Sequence, residues 1–328
     1  MKKIILIAIA ALALMWLTPY VSEYFATQSK TGSPVTVTIP QGATADDIAD
    51  ILKENNLIKH KIVFRLKVKM TQSNSKLNYG TYTLDDGMCI SDIIKTLTTA
   101  SGDSATLVIP EGLSAENIAE RAAAIGICTQ EDFLAALGDD YDFEFIAHIP
   151  SGKYKYKLQG YLFPDTYNFA KGTNAHTVVE TLLANFDRRC RKALGGYDDN
   201  TFALITKASL IEKEAKLASE KPTIAGVIEN RLKADMPLQI DAAIVYAITD
   251  GKYNADKVYY KDLETDSPYN IYKNKGLPAG PICSPGLDSI KAAANPESHK
   301  YLYYHTDTVK NDGSHIFTET YDEHLQTQ

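Results

Sequence analysis

The sequence predicts an α+β protein with an N-terminal transmembrane helix, a small β-α module and a larger mixed α+β domain. Three observations carry this reading. An apolar run without charges opens the chain. A strand–turn–helix phrase occurs twice, 70 residues apart. A long second half alternates helical periodicity with loops and closes on two short β-rich segments. A length of 328 residues suits two or three domains with ample buried core.

The N-terminal element comes first. Lys2 and Lys3 precede an unbroken apolar run over residues 4–17, and no further charge occurs before Glu23. As a helix, residues 4–22 extend roughly 28 Å, enough to cross a bilayer. The two lysines would stay in the cytoplasm and put everything after them outside. A cleaved signal peptide is the competing reading, although no small-x-small cleavage site follows the run. Residues 23–34, ending in Lys30-Thr31-Gly32-Ser33-Pro34, form a polar linker.

The module over residues 35–100 starts with a β-branched strand, Val35 to Ile39. Ile39-Pro40-Gln41-Gly42-Ala43-Thr44-Ala45 then matches Ile109-Pro110-Glu111-Gly112-Leu113-Ser114-Ala115. In each copy a strand stops at Pro-x-Gly and a hydroxyl, Thr44 or Ser114, stands ready to cap a helix. The spacing predicts helices over 45–55 and 115–125, and a second strand over 77–84 with a helix over 90–98 would complete the module. Two copies are too few for a solenoid.

The domain over residues 105–328 reads as helices over 178–194, 201–217 and 222–234. Between 250 and 285 the chain is rich in Gly, Pro, Asn and Tyr, the mark of a functional loop inside a compact domain. Leu302-Tyr303-Tyr304 and His315-Ile316-Phe317 could pair as strands near the end.

Several function classes fall away. A formal charge of −7 argues against a nucleic-acid partner, which calls for a basic face. Cys89, Cys128, Cys190 and Cys283 form no C-x-x-C; two disulfides are possible, with isolated buried thiols the simpler reading. The seven histidines show no metal-ligand spacing, and no phosphate or dinucleotide fingerprint occurs, so neither metal nor cofactor is expected. No G-x-S-x-G is present. Ser73-x-x-Lys76 and Lys30-Thr31-Gly32 match penicillin-binding patterns in the wrong order and without Ser-Asp-Asn.

The sharpest chemical feature is Ala208-Ser209-Leu210-Ile211-Glu212-Lys213-Glu214-Ala215. A carboxyl among small and apolar neighbours holds its proton better than one in water, as a general acid requires. Glu212 is a candidate acid on that ground. Glu214, two positions on, points to another face and is expected to be solvated. From the residues alone, an exposed i,i+4 pair of Glu212 with Lys216 is the favoured reading.

From Gln159 to His324 the chain resembles the MltG/YceG-like endolytic murein transglycosylases. Gly160-Tyr161-Leu162-Phe163-Pro164-Asp165-Thr166-Tyr167 and the Glu212 helix carry the resemblance. So do Asn230-Arg231-Leu232, Met236-Pro237-Leu238-Gln239-x-Asp241, Tyr269-Asn270-x-Tyr272 and Gly276-Leu277-Pro278-x-Gly280-Pro281-Ile282. Gln159 replaces a usual Glu, Asp241-Ala242-Ala243 a usual Asp-Pro-Thr, and Ser284-Pro285-Gly286 a usual Asn-Pro-Gly.

The resemblance implies a LysM-like module ahead of the catalytic domain. It implies endolytic cleavage of MurNAc–GlcNAc β-1,4 bonds to 1,6-anhydro-MurNAc ends, limiting nascent strand length. Its substrate would be peptidoglycan glycan strands, its neighbours cell-wall synthases, and its place the cytoplasmic membrane with the catalytic domain outside. Glu212 would be the catalytic acid, and Gln239, Asp241, Tyr269, Asn270 and Tyr272 would bind the sugars. The rival is a membrane-anchored peptidoglycan-binding scaffold without catalysis, against which the Glu212 helix speaks.

Overall fold

The computed structural model describes residues 34–40, 43–73, 77–98, 104–255 and 257–327. The expected anchor over 1–22, and the linker up to Ser33, lie outside them. Among the described residues no helix is long and apolar enough to cross a membrane. The chain divides into two units: one runs to Leu107 and takes in Tyr167–Thr173, the other holds Val108–Thr166 and Asn174–Gln328. Twelve α-helices and three two-stranded sheets make the described part a mixed α+β structure.

In the first unit, β1 (Pro34–Ile39) pairs antiparallel with β2 (Gly80–Asp85), with Val35 opposite Leu84 and Val37 opposite Tyr82. Strand alternation turns Val37, Ile39 and Leu84 into the core. Helices α1 (Ala45–Glu54) and α2 (Lys61–Met70) cover that face through Ile48, Leu52, Phe64 and Val68. Helix α3 (Ile90–Thr98) adds Ile90, Ile93, Ile94 and Leu97, a one-faced stripe at helical spacing. Burying each such side chain is worth about 1.5–3 kcal/mol. Thr44 caps α1 as its position predicts: its hydroxyl accepts from the Asp47 N–H at 3.2 Å while the Asp47 carboxylate accepts from the Thr44 N–H at 2.8 Å.

The strand expected from residue 77 begins at Gly80. There φ is +140°, and a Cβ would lie 2.6 Å from the Asn168 carbonyl oxygen, so only glycine lets the two backbones approach. Asn168 belongs to β4 (Thr166–Ala170), which pairs with β3 (Ser104–Val108). The first unit therefore continues past residue 100 and recovers a strand from far along the chain. Thr106 Oγ1 donates to Asn168 Oδ1 at 2.7 Å across this ribbon.

In the second unit, α4 (Ala115–Ala124) is capped by Ser114, whose Oγ accepts from the Asn117 N–H. Helices α5 (Gln130–Ala136), α6 (Glu144–Ala147) and α7 (Ala175–Leu194) follow. Phe145, Tyr161 and Phe186 pack there with ring centroids 4.9–5.0 Å apart. Helix α8 (Thr201–Glu214) sits among α9 (Lys221–Lys233), α10 (Asp241–Ile248) and α11 (Leu287–Ala294). It buries Ile205, Ala208, Ser209, Leu210 and Ile211. β5 (Tyr303–Thr306) and β6 (His315–Thr318) form a hairpin before α12 (Tyr321–Thr327).

Helix α8 stops earlier than its expected end at 217. Ala215 is extended (φ −78°, ψ 115°), which makes Glu214 the last helical residue. All four cysteines are free thiols; Cys190 and Cys283 are buried, Cys128 is half-buried and Cys89 is exposed.

Candidate active site

Glu212 lies in the last turn of α8, and its side chain is 9% exposed. Its surroundings are not apolar. Lys221 Nζ donates to both carboxylate oxygens at 3.3 Å. The Gly286 N–H donates to Oε2 at 2.9 Å and Ser289 Oγ at 2.7 Å. Lys221 is itself buried and also lies 3.8 Å from Glu111 of the Pro-x-Gly turn. Burial and the Glu212 charge push the Glu111 carboxyl above its usual range, with Lys221 opposing. The first turns of α9 and α11 are thus tied to α8 through one carboxylate. The oxygens of Glu212 are committed to holding three segments together, and the cation that reaches it is Lys221 rather than Lys216.

Glu214 is 200° further round the helix at about 100° per residue, so it does face elsewhere. It is only partly exposed. With Arg231, Leu238, Gln239, Asp241, Tyr272 and Tyr304 it lines a cleft of about 210 Å³. Tyr304 OH donates to Glu214 Oε2 at 2.8 Å. Desolvation raises the Glu214 pKa above its ordinary value and Asp241 adds to the rise, while the Tyr304 hydrogen bond, His315 and Arg231 oppose it. A central helix is covered on both faces, which is why the polar-looking face of α8 is enclosed.

The other walls of the cleft come from the second half of the chain. Arg231 of α9 donates through Nε to the Leu302 carbonyl at 2.6 Å and through Nη1 to the Leu238 carbonyl at 2.7 Å. The same guanidinium stands 5.4 Å over the Tyr303 ring. It therefore clamps the start of β5 to the loop carrying Gln239. Gln239 has φ +54°, a left-handed conformation uncommon outside glycine and found where a site demands it. Its N–H donates to the Ile271 carbonyl at 3.1 Å. Asp241 opens α10, and its carboxylate accepts from Tyr272 OH. Burial holds the Tyr272 and Tyr304 phenols above their ordinary values, so both remain donors at neutral pH.

Of the residues expected to bind sugars, Gln239, Asp241 and Tyr272 share the cleft, and they share it with Glu214. Asn270 is fully buried; its amide donates to the Leu263 and Thr265 carbonyls at 2.9 and 2.8 Å, and its oxygen accepts from the Tyr272 N–H. Tyr269 is 5% exposed and accepts from the Lys155 N–H at 3.1 Å, its ring against Tyr246. These two shape the loop that delivers Tyr272. Arg231 and Tyr304 were visible in the sequence only as parts of motifs. Their role depends on what folds onto α8, and no local signal reports that.

The chain matches the model of the YceG-like family over residues 37–328. It is 36% identical over 307 residues to the endolytic murein transglycosylase of Bacillus subtilis (strain 168), an alignment covering 88% of this chain and 82% of that protein. To the endolytic murein transglycosylase of Streptococcus pneumoniae (strain D39) it is 33% identical over 305 residues, spanning 84% of this chain and 55% of the longer relative. A crystal structure of a YceG-like protein from Listeria monocytogenes is similar with a TM-score of 0.59 and 34% identity, over 91% of this chain and all of that one.

Proposed function

The chain belongs to the YceG-like family, and from that membership we propose that it is an endolytic murein transglycosylase whose general acid and base is Glu214. The observation that carries the choice of residue is one cleft holding a desolvated carboxyl, Glu214, together with the exposed polar groups of Gln239 and Asp241. A carboxyl whose pKa is raised by burial keeps its proton where an exposed one would lose it, which suits proton donation to a leaving oxygen. Glu212 lacks such a vacancy, its oxygens being occupied by Lys221, Gly286 and Ser289.

In this mechanism Glu214 protonates the glycosidic oxygen as the bond from MurNAc C1 to that oxygen breaks. The C6 hydroxyl of the same MurNAc attacks C1, and its proton passes to Glu214. The products are a 1,6-anhydro-MurNAc end and a GlcNAc 4-hydroxyl end, and Glu214 is protonated again. No water and no covalent enzyme intermediate enter, unlike the two-carboxylate glycosidases. The Asp241 carboxylate, held by Tyr272 OH, faces the positive charge that develops on the ring. Gln239 supplies an amide to the sugar from its strained turn.

The same reading makes the first unit a LysM-like glycan-binding module. The order β1-α1-α2-β2, with an antiparallel pair packed on two helices, supports it. It also makes residues 1–22 an uncleaved anchor in the cytoplasmic membrane, the catalytic unit outside, beside cell-wall synthases whose new strands it shortens. N-terminal sequencing of the protein from membranes tests the anchor: a start beyond residue 20 would refute it. Digestion of polymerised glycan followed by mass spectrometry tests the reaction. Anhydro ends support it, reducing ends with added water would make the protein a hydrolase, and intact strands would restore the binding scaffold.

A further inference from the structure

Tyr304 orients Glu214, and the structure shows what orients Tyr304. Its ring meets the His315 imidazole edge-on, with centroids 5.5 Å apart and planes at 88°. The His315 side chain is 7% exposed, and its Nδ1 lies 2.7 Å from Glu220 Oε2. The backbone N–H of His315 donates to the other Glu220 oxygen at 2.9 Å. Glu220 ends the short 3-10 turn Ala218–Glu220 that follows α8, and its side chain is 15% exposed. Tyr304 and His315 stand on the two paired strands of the hairpin, where Tyr304 faces Phe317 and Thr306 faces His315.

A closed circuit results. The backbone leads from Glu214 to Glu220, Glu220 grips the first residue of β6 by two bonds, and the imidazole packs on Tyr304. Tyr304 then returns to Glu214 through its hydroxyl. A carboxylate only accepts, so Glu220 fixes the proton of His315 on Nδ1. Nothing in the proposed proton transfer uses Glu220 or His315, and both are nearly enclosed. Enclosing a carboxylate and an imidazole is costly unless each is paired, and here each pairs with the other.

We propose that Glu220 and His315 are positioning residues for the acid: the pair latches the C-terminal hairpin so that Tyr304 holds the Glu214 carboxyl at the cleft. This rests on Glu214 being the general acid. The groups facing Glu214 are Tyr304 from β5, His315 from β6, Arg231 from α9, Asp241 from α10 and Tyr272 from the loop before α11. Tyr304, His315 and Arg231 favour the carboxylate, while Asp241 disfavours it. Loss of Tyr304 OH or of the His315 ring therefore makes Glu214 hold its proton to higher pH.

The test uses the full chain in detergent, with His315→Gln, Tyr304→Phe and Glu220→Gln. Melting curves serve as the folding control. A carboxyl misplaced by about 1 Å costs on the order of 10²-fold in rate, so kcat on polymerised glycan should fall at least about tenfold in each variant. KM should stay within about twofold in His315→Gln and Glu220→Gln, because that pair lines no part of the cleft. The alkaline limb of the pH profile should move up in His315→Gln and Tyr304→Phe. A carbon-13 titration of the Glu214 carboxyl, its signal identified by its loss in Glu214→Gln, should move the same way. That titration reads the latch even if the wild-type protein cleaves no glycan, which separates failure of the latch from failure of the reaction. If His315→Gln does not fold, Glu220→Gln, which keeps the size and one acceptor oxygen, carries the test through kcat. A folded variant with wild-type kcat, an unmoved alkaline limb and an unmoved carboxyl titration would overturn the proposal.

Discussion

Exchanging Glu214 and Glu212 for Gln, one at a time, separates a working carboxyl from a structural one. In Glu214→Gln the amide oxygen still accepts from Tyr304, so the cleft keeps its shape while the proton is gone. General acid–base loss typically costs about 10²–10⁴-fold, or about 3–5 kcal/mol of transition-state stabilisation. Folding should not suffer, because a desolvated carboxyl becomes a neutral amide. Glu212→Gln acts in the opposite sense. It removes the charge facing Lys221, and the two side chains are 9% and 8% exposed. Breaking such a pair leaves the buried cation with only Glu111, 3.8 Å away, at a cost of up to about 3–5 kcal/mol of stability. Activity per folded molecule should then stay close to wild type at low temperature. The assay is release of anhydro-ended fragments from polymerised glycan, normalised to the folded fraction by circular dichroism. A fully active, folded Glu214→Gln would refute the assignment. So would a stable Glu212→Gln protein that has lost its activity.

Two further outcomes follow from the same geometry. Because burial raises the Glu214 pKa, the native chain binds more protons there than the unfolded chain does above the ordinary carboxylate range. Its contribution to stability is fully present below about pH 4 and is lost as pH rises through the native value. Melting temperatures of wild type and Glu214→Gln should therefore diverge in favour of the variant as pH rises, and parallel curves would contradict the desolvated setting. Gly160→Ala should destabilise the second unit by about 1–3 kcal/mol in denaturant titrations. Gly160 has φ +93°, and a Cβ there would sit 2.6 Å from Pro281 Cβ.

Much of the fold was legible because its causes are local. Thr44 and Ser114 sit where caps must sit, and the helices after them begin at Ala45 and Ala115 as expected. The apolar spacing of Ile90, Ile93, Ile94 and Leu97 needs only the period of a helix to be read. The motifs shared with the YceG-like family pointed to glycan cleavage. Pairing of β3 with β4 was not legible, because strand partners separated by some sixty residues leave no trace in either segment's periodicity.

The sequence by itself placed Glu212 and Glu214 on opposite faces of one helix, and it pointed to Glu212 as the acid and to Glu214 as a solvated neighbour. It could not report what encloses either carboxyl. Periodicity describes the face a residue takes, whereas desolvation and hydrogen bonding depend on what later segments bring to that face. Lys221, Gly286 and Ser289 close over Glu212 and occupy its oxygens. Gln239, Asp241, Tyr272 and Tyr304 arrive on the other side and leave a cleft beside Glu214. Asn270 and Tyr269, expected at the sugar from the family resemblance, bond to the loop's own carbonyls and pack on the Tyr246 ring. Only the tertiary structure sets these surroundings, because the field and solvent exposure at a carboxyl are sums over neighbours in space rather than neighbours in the chain.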